Sequence, residues 1–525
     1  MNKPRALIRL PHASNRGRDA KSRVVSIPSP VGGWNARDSL AAMRETDAVK
    51  LENWFPTPFD VMLRLGFDDH ATGLPAQAES LMSYNSPTTK SLFCASSTSF
   101  YDVTSAGAVG AAVVTGLTNA RWQHVNISTA GGNFLYAVNG SDKPRVYDGA
   151  TWTAVDAAST PAITGVTTTN LIHVNLFKTR LWFVEKDSLK IWYLPVNSIG
   201  GAAASIDFMS IARRGGFLMA MGTWTIDAGE GLDDHAVFVT SEGEVIVYRG
   251  TDPSSATTWA LVGVWYIGSP IGRRCLMKYA GDLLLITLAG VLPMSRALIS
   301  AQTQPDAALT NKIQDAMNSA SRSYAANFGW QLAFFAKAPM LILNVPVAEG
   351  SGQEQYVMNT ISGSWAKFTG IAANCWEIHN DKAYFGGNQG VYEFWEDEND
   401  NGANIDSIAA QAYNYFGARG QRKRFLQARP ILVTEGSPAV TFGVNVDYQD
   451  GDPAGTLSFS APNYAVWGVS LWGVGLWGTS NIVRADWQGI TGVGMCASPR
   501  MKVSSQDISV RWRATDLVFE PGGVI

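Results

Sequence analysis

Leu181-Trp182-Phe183, a short turn and Ile191-Trp192-Tyr193 form one copy of a phrase that recurs along the chain. In each copy an apolar strand runs through a turn into an aromatic-rich strand. The copies begin at Leu92, Phe134, Leu181, Val237, Leu283 and Ala383. The first five starts lie about 42, 47, 56 and 46 residues apart, and the last gap of about 100 residues leaves room for one further copy. A repeat of roughly 40 to 50 residues is typical of β-propeller blades, which are small antiparallel sheets packed face to face. We therefore predict a mainly β protein with a propeller of about six blades over residues 76–395.

Three turns within this region are followed by a tryptophan. The tryptophans are Trp152, Trp259 and Trp365, and each comes after a run of small residues. Small residues allow the chain to reverse, and a large ring can fill the gap between two neighbouring sheets. We expect these three rings to lie between blades.

The composition favours a turn-rich globular protein of more than one unit. Of 525 residues, 46% are hydrophobic and 16% are charged, with 51 glycines and 18 tryptophans, whereas the typical charged share is about 25%. A chain of this length is too long for one ordinary core. The formal net charge of −3 excludes an overall electrostatic attraction to nucleic acid or to an anionic membrane.

Basic residues are nevertheless clustered in places. Residues 1–24 carry seven lysines and arginines against one acid, Asp19, and we interpret them as a basic flexible arm. This arm is either solvated or ordered by an acidic partner or by DNA phosphate. Arg213-Arg214 and Arg273-Arg274 leave the same two alternatives open, a solvated face or contact with phosphate or an acidic subunit. The basic residues that we name as candidate partner contacts are Arg5, Arg9, Arg16, Arg18, Arg422, Lys423 and Arg424.

The rest of the chain divides around the repeats. Residues 25–75 are expected to be an N-terminal docking segment, with a helix over 44–53 and Trp34 as a candidate partner contact. An amphipathic helical insertion is predicted at 305–325. Its apolar stripe supplies three further candidate contacts: Leu309, Ile313 and Met317. Residues 396–404 read as a linker, and 405–525 as a C-terminal β domain, most simply a sandwich.

No motif predicts a catalytic, cofactor-binding or metal site. Gly473 to Gly478 spells GxGxxG but lies within a Trp-Gly tandem that no helix follows. The run from Asp397 to Gly402 partly matches a calcium loop, yet position twelve is Ile408 instead of glutamate, so a linker is favoured over an ion site. We expect no cofactor and no enzyme, although paired carboxylates could still meet across a propeller face. No apolar run is long enough to predict a membrane span.

Several phrases resemble those of one protein family. Gly32-Gly33-Trp34-Asn35, with Asp47-Ala48, Asn53, Arg64 and Gly66 after it, resembles the opening of the tail hub or nozzle proteins of short-tailed bacteriophages. These are also called packaged-DNA stabilisation proteins. Further similar phrases are Gly272-Arg273-Arg274-Cys275 to Leu284, Asn414-Tyr415-Phe416-Gly417 with Arg429-Pro430, and Trp512-Arg513-Ala514-Thr515-Asp516 to Gly523.

The resemblance implies a structural virion protein that is assembled in the host cytoplasm and located in the viral tail. Six copies would form a ring below the portal and its adaptor, closing or extending the channel through which DNA leaves. The implied partners are further copies of the chain, the adaptor and a tail fibre or spike, and DNA would pass without sequence recognition. The alternative is a propeller enzyme or lectin that acts on host surface polysaccharide. The basic arm ahead of Gly32 matches nothing in the family.

Overall fold

The computed structural model describes residues 22–227, 232–297, 305–458 and 482–524, and strands dominate throughout. Six strands precede the repeats. They are β1 (Arg23–Pro28), β2 (Gly33–Trp34), β3 (Asp47–Glu52), β4 (Trp54–Pro56), β5 (Val61–Leu63) and β6 (Phe67–Thr72). The helix expected over 44–53 is therefore wrong. β3 occupies that stretch and is hydrogen-bonded on both sides within a sheet, so long-range pairing outweighs the helical spacing of its apolar residues.

Small antiparallel sheets then follow one another along the chain. Blade 1 holds β7 (Ala78–Asn85), β8 (Lys90–Ser96) and β9 (Ser99–Asp102), and is followed by β10 (Gly107–Ala108). Blade 2 holds β11 (Gln123–Thr129), β12 (Gly132–Val138), β13 (Arg145–Tyr147) and β14 (Trp152–Ala154). After β15 (Ile163–Thr164) and a 3-10 turn at Thr168–Asn170, blade 3 holds β16 (Leu171–Phe177), β17 (Arg180–Glu185), β18 (Lys190–Tyr193) and, beyond β19 (Gly201–Ala202), β20 (Ala204–Asp207).

The next three blades carry the helical insertion. Blade 4 holds β21 (Leu218–Asp227), β22 (Leu232–Thr240), β23 (Glu244–Gly250) and β24 (Trp259–Tyr266). Blade 5 holds β25 (Leu276–Tyr279), β26 (Asp282–Thr287) and β27 (Gly290–Pro293). Helix α1 (Met294–Ala297), 3-10 turns at Pro305–Ala307 and Leu309–Ile313, and helix α2 (Gln314–Tyr324) lead to blade 6, made of β28 (Gln331–Phe335), β29 (Met340–Ala348), β30 (Gly352–Asn359) and β31 (Trp365–Phe368).

Blade 7 closes the ring. It holds β32 (Cys375–His379), β33 (Lys382–Gly386) and β34 (Gly390–Phe394), and β6 pairs antiparallel with β34 from Phe67 opposite Phe394 to Thr72 opposite Gly390. The innermost strands contact one another in the cyclic order β7, β11, β16, β21, β25, β28, β32 and β7. The described residues therefore form a propeller of seven blades, one more than the predicted six: the six copies of the phrase, plus blade 6 in the long gap.

The three tryptophans that follow small-residue turns lie between blades, as expected. Trp152 of blade 2 packs on Phe93 of blade 1, with ring centroids 5.0 Å apart. Trp259 of blade 4 stacks on Trp182 of blade 3 at 5.5 Å. Trp365 of blade 6 is fully buried, and its indole N–H donates to the Leu309 carbonyl beside the inserted helix.

Residues from both ends of the chain build a β-sandwich. Its C-terminal strands are β35 (Ile405–Gln411), β36 (Gln421–Thr434), β37 (Ala439–Val446), β38 (Gly455–Leu457), β39 (Ile482–Arg484), β40 (Gln488–Gly494), β41 (Ala497–Ser505) and β42 (Val510–Val524). One sheet runs β39-β36-β42-β5-β4, with β1 also on β42 and β40 also on β36, and the other runs β3-β35-β41-β37-β38. Trp54 from the N-terminal segment packs against Trp512 from the C-terminal end in the shared core, 6.4 Å between ring centroids.

The expected domain boundaries change accordingly. Residues 25–75 supply strands to the sandwich and to blade 7, so they dock within the chain. The second sandwich sheet continues into blade 6, because β3 pairs with β31 at Glu52 opposite Lys367. The propeller and the sandwich therefore share one ten-stranded sheet.

The segment 396–404 is held in place by an ion pair, so the prediction of a linker there is wrong. The wholly buried Arg64 guanidinium donates to both carboxylate oxygens of Asp400, at 2.7 and 2.6 Å. The same side chain donates to Asn53 Oδ1 at 2.9 Å and to the Thr369 carbonyl at 3.0 Å. One arginine thus joins the N-terminal segment, the end of blade 6 and the segment that enters the sandwich.

We expect Arg64→Met to lower the free energy of unfolding by about 3–5 kcal/mol, because it leaves the Asp400 carboxylate without its buried partner. The measurement is urea unfolding followed by tryptophan fluorescence. The control is Arg424→Met, because that side chain is 68% exposed and lies 4.0 Å from Glu520, so its loss should cost under about 0.5 kcal/mol. Equal effects of the two substitutions would contradict the role given to Arg64.

A pair of carboxyl groups beside blade 7 predicts a pH effect on stability. The hydrogen bond to Asp397, together with burial, raises the pKa of Asp68 to about 6. A raised carboxyl pKa means that folding takes up a proton, so this contribution stabilises the fold at low pH and is lost as the pH rises through about 6. We expect Asp68→Asn to raise the melting temperature at pH 7.5 and to change it little at pH 4, whereas the exposed control Glu435→Gln changes neither. A destabilised Asp68→Asn at pH 7.5 would contradict this assignment.

Candidate functional site at the propeller axis

The innermost strands of all seven blades line a cavity of about 420 Å³ on the propeller axis. Such a site is assembled from residues far apart in sequence, because each blade contributes only a few side chains. Its polar lining residues are Gln123, His124, His173, Asn175, Thr223, Arg273, Arg274, Lys278, Gln331 and Glu377.

Arg274 joins three blades at the wall of this cavity. Its guanidinium donates to Ser80 Oγ at 2.6 Å and to the Glu79 carbonyl at 2.9 Å in blade 1. It also donates to the Trp122 carbonyl at 3.2 Å, at the entrance to blade 2, and to Gln331 Oε1 of blade 6 at 3.4 Å. Burial lowers the pKa of this guanidinium. The side chain is thus a partly buried cation whose hydrogen-bond acceptors are uncharged.

Arg273 lies beside it and reaches blade 4. One terminal nitrogen donates to the Leu218 carbonyl at 3.1 Å and to the Met219 carbonyl at 3.2 Å. Burial again lowers the pKa of the guanidinium. Of the two interpretations of Arg273-Arg274, a solvated face is therefore wrong, because both side chains are partly buried at the axis.

Two histidines complete the wall. His173 Nε2 lies 3.0 Å from the Met221 carbonyl, which can only accept, so the proton is on Nε2. Burial lowers the pKa of His173 to about 4, so its ring is neutral near pH 7. His124 Nε2 lies 3.7 Å from a carboxylate oxygen of Glu377. The cavity therefore has cationic, neutral and anionic groups on different sides.

A second cavity of about 280 Å³ adjoins the first, and Gln123, Arg273 and Arg274 line both. Phe328 lies between two arginines there, with Arg121 4.3 Å and Arg274 5.0 Å from its ring centroid. Arg121 in turn pairs with Glu79 at 3.0 Å and with Glu349. Cation–π contacts of this kind hold the two arginine side chains in place at the wall of the second cavity.

The axial groups can bind an anion, but they do not form a paired-carboxylate hydrolase site. Among the described residues that line the axial cavity, Glu377 is the one carboxylate, whereas glycoside hydrolysis needs two carboxyl groups across the bond. In the part of the chain that the structure describes, no group of three His, Cys, Asp or Glu side chains is placed to hold a metal ion. The four cysteines are buried and unpaired.

Five of the seven candidate partner contacts that the structure describes are used within the chain. Ile313 and Met317 are fully buried between blades 5 and 6, and Leu309 is partly buried there, so the expected docking stripe is internal. Trp34 packs edge-on against Tyr356, 5.3 Å between ring centroids.

The basic residues at 422–424 lie on β36, where successive side chains point to opposite faces. Lys423 is buried, and its ammonium donates to the Ala418, Gln421 and Met495 carbonyls. Arg422 and Arg424 are exposed on β36 and remain available to a partner. Arg5, Arg9, Arg16 and Arg18 lie outside the described residues, as does the Trp-Gly tandem.

The sequence analysis missed His173, Lys278 and Glu377 at the axis. His173 and Glu377 are single polar residues on innermost strands that no local motif marks. Lys278 lies within the phrase from Gly272 to Leu284, but that phrase does not indicate an axial site. Only their position in the repeat could have indicated these residues. The first strand of every blade faces the axis, so polar residues on that strand are candidates for an axial site.

Comparisons with known proteins add little to this description. The chain matches no protein-family model and no curated protein. The crystal structure of BBS1N in complex with ARL6DN is 10% identical with a TM-score of 0.39, over 63% of this chain and 97% of that one. The Cps50 (Swd1) β-propeller domain of Myceliophteria thermophila is 14% identical with a TM-score of 0.37, over 61% and 97%.

A glycoside hydrolase family 43 arabinoxylan arabinofuranohydrolase from Bacillus subtilis is 11% identical with a TM-score of 0.25, over 86% of this chain and 96% of that one. TM-scores this low carry no argument about function. The propeller assignment rests on the strand order and the cyclic contacts given above. Within the described residues, no helix is long and apolar enough to cross a membrane.

We expect Arg274→Met to lower the free energy of unfolding by about 1–3 kcal/mol, because it removes the hydrogen bonds that Arg274 donates to the Ser80 hydroxyl and to the Glu79 and Trp122 carbonyls. Differential scanning calorimetry measures the change. Arg322→Met, on the exposed face of α2, is the matched control. An unchanged melting temperature in Arg274→Met would mean that this contact between blades contributes nothing to stability.

Proposed function

We propose that this protein is a structural component of a short-tailed bacteriophage tail, a nozzle or hub subunit that acts in a ring of copies. The observation that carries the proposal is the position of the residues behind the family resemblance. The residues of the opening phrase, from Gly33 to Gly66, lie at joints between the blades and the sandwich. A family defined by such residues is defined by its architecture.

The first of these joints is at Gly33. Its φ of +81° favours glycine, and a Cβ there would lie 2.5 Å from the Trp365 carbonyl oxygen of blade 6. Asn35 Nδ2 donates to Asp47 at 2.8 Å, and Asp47 pairs with Lys312 of the insertion at 2.6 Å. The opening phrase thus binds the insertion and blade 6 to the sandwich.

The second joint is at Asn53 and Arg64. Asn53 Nδ2 donates to the Asp406 carbonyl at 2.7 Å, and Asn53 Oδ1 accepts from Arg64. Gly66 is required because a Cβ there would lie 1.6 Å from the Asn399 carbonyl oxygen. These contacts, with the shared ten-stranded sheet, join the two units firmly, which suits a component that has to keep its shape within a ring.

The outer strand of blade 4 offers a surface for a neighbouring copy. β24 is the last strand of its sheet, and its outer edge has no strand partner within the described residues. Leu261, Val262, Val264 and Tyr266 are 36–46% exposed on it. An exposed apolar edge strand is an aggregation hazard unless another chain covers it. We assign it to contact between subunits.

The test of the proposal is assembly of the purified full chain, alone and with its adaptor, by analytical ultracentrifugation and negative-stain electron microscopy. We expect closed rings with six-fold symmetry. A chain that stays monomeric under both conditions would overturn the proposal.

The edge-strand assignment has its own variant. We expect Val262→Lys combined with Val264→Lys to abolish rings and to leave the circular dichroism spectrum and the melting temperature unchanged, because both side chains are exposed. The control is Ser205→Lys on β20, the outer strand of blade 3, which should assemble normally. Rings of normal size from the double variant would exclude β24 as the contact.

A further inference from the structure

We propose that the axial cavity is a binding site for a small oxyanion, a carboxylate or phosphate group carried on a molecule no larger than a sugar acid. The inference does not rest on the nozzle proposal, since it concerns one copy of the chain. Its first ground is the pair of axial arginines. Neither Arg273 nor Arg274 has a carboxylate within ion-pair distance among the described residues.

Arg64, unlike the two axial arginines, has a carboxylate partner. That guanidinium, also buried, holds Asp400 with two charge-assisted hydrogen bonds. Arg273 and Arg274 donate to carbonyl, hydroxyl and amide oxygens only. Partial burial of a cation with no carboxylate at ion-pair distance is unfavourable, and the burial lowers the pKa of both groups. Glu79 and Glu377 act on Arg274, and Asp187 on Arg273, only through space. An anion in the cavity would supply the direct ion pair.

The second ground is the charge of the cavity wall. Three cationic side chains, Arg273, Arg274 and Lys278, face one carboxylate, Glu377, and the neutral His173 adds no charge near pH 7. The wall is therefore positive although the whole chain is slightly acidic. Low-dielectric walls lined by one sign of charge concentrate small ions of the opposite sign.

The third ground is a set of unused donors. Among the described residues, Arg273 donates hydrogen bonds only through one terminal nitrogen, so its other N–H groups are available to a ligand. The Lys278 ammonium and the Gln123 amide also form no side-chain hydrogen bond within the described residues. Planar guanidinium donors fit carboxylate and phosphate oxygens in pairs, which makes such groups the best match to the site.

The size of the cavity limits the ligand. At about 420 Å³ it lies within the roughly 300–1,000 Å³ usual for small-molecule sites. It can hold one small molecule or one projecting group, and it cannot admit a nucleic-acid strand. Inorganic phosphate and a sugar acid such as glucuronate are therefore the probes, and glucose is the neutral control.

The experiment is isothermal titration calorimetry on the full chain at low ionic strength. We expect saturable binding of glucuronate, phosphate or both, no binding of glucose, and at least about tenfold weaker binding in Arg273→Gln, since one charge-assisted hydrogen bond accounts for about that factor. Binding of glucuronate alone would assign the site to a carboxylate, and binding of phosphate alone to a phosphate. Arg322→Gln, exposed and away from the axis, should bind as the natural chain does.

Lys278→Gln is a second variant in case Arg273→Gln does not fold, because Lys278 is exposed on β25 and its ammonium forms no hydrogen bond within the described residues. This variant should bind the anion more weakly and should unfold at the same temperature as the natural chain. The proposal is overturned if neither anion binds below about 10 mM, if glucose binds as well as glucuronate, or if the axial variants bind as tightly as the exposed control. None of these outcomes depends on whether the chain forms rings.

Discussion

A propeller holds together only if its last sheet is joined to its first, and here strand β6 makes that joint. β6 comes before blade 1 in the chain and pairs with β34 in blade 7, where β10 pairs with its other edge, so hydrogen bonds link the two ends of the ring. Arg64 lies three residues before it and anchors the same segment to Asp400, just after blade 7. Because opening the ring would break the β6 ladder and expose this buried ion pair together, closure should be cooperative.

The same constraint explains why the sandwich cannot be a separate C-terminal domain. The chain must pass from β5 to β6 to close the ring, so the strands ahead of β6 are held near blade 7. From there β3 can pair with both β31 and β35, and it joins blade 6 to the sandwich. The ring and the sandwich are consequently two parts of one folded body.

The sequence was sufficient for whatever depends on local repetition. The phrase begun by Leu181 and its five relatives mark the second strands of six blades, and the tryptophans at 152, 259 and 365 mark packing between blades. What could not be predicted depends on distant partners. Asp47 to Glu52 has helical apolar spacing yet is a strand because β2, β31 and β35 pair with it. Likewise Ile313 and Met317 form a good amphipathic stripe, but only the folded ring reveals that blades 5 and 6 cover it.

The phrase Gly272-Arg273-Arg274 shows how one short motif can serve both structure and binding. Gly272 has a φ of +69° and lies beside Trp330, so the chain turns there and brings both arginines to the axis. Arg274 then directs its donors at blades 1, 2 and 6, whereas Arg273 bonds blade 4 with one nitrogen and lines both cavities with the rest. A cation that also holds blades together cannot be removed without cost to the fold. The positive charge of the axis is therefore built into the way the ring is assembled, and a ligand that complements it would stabilise the ring as well as occupy it.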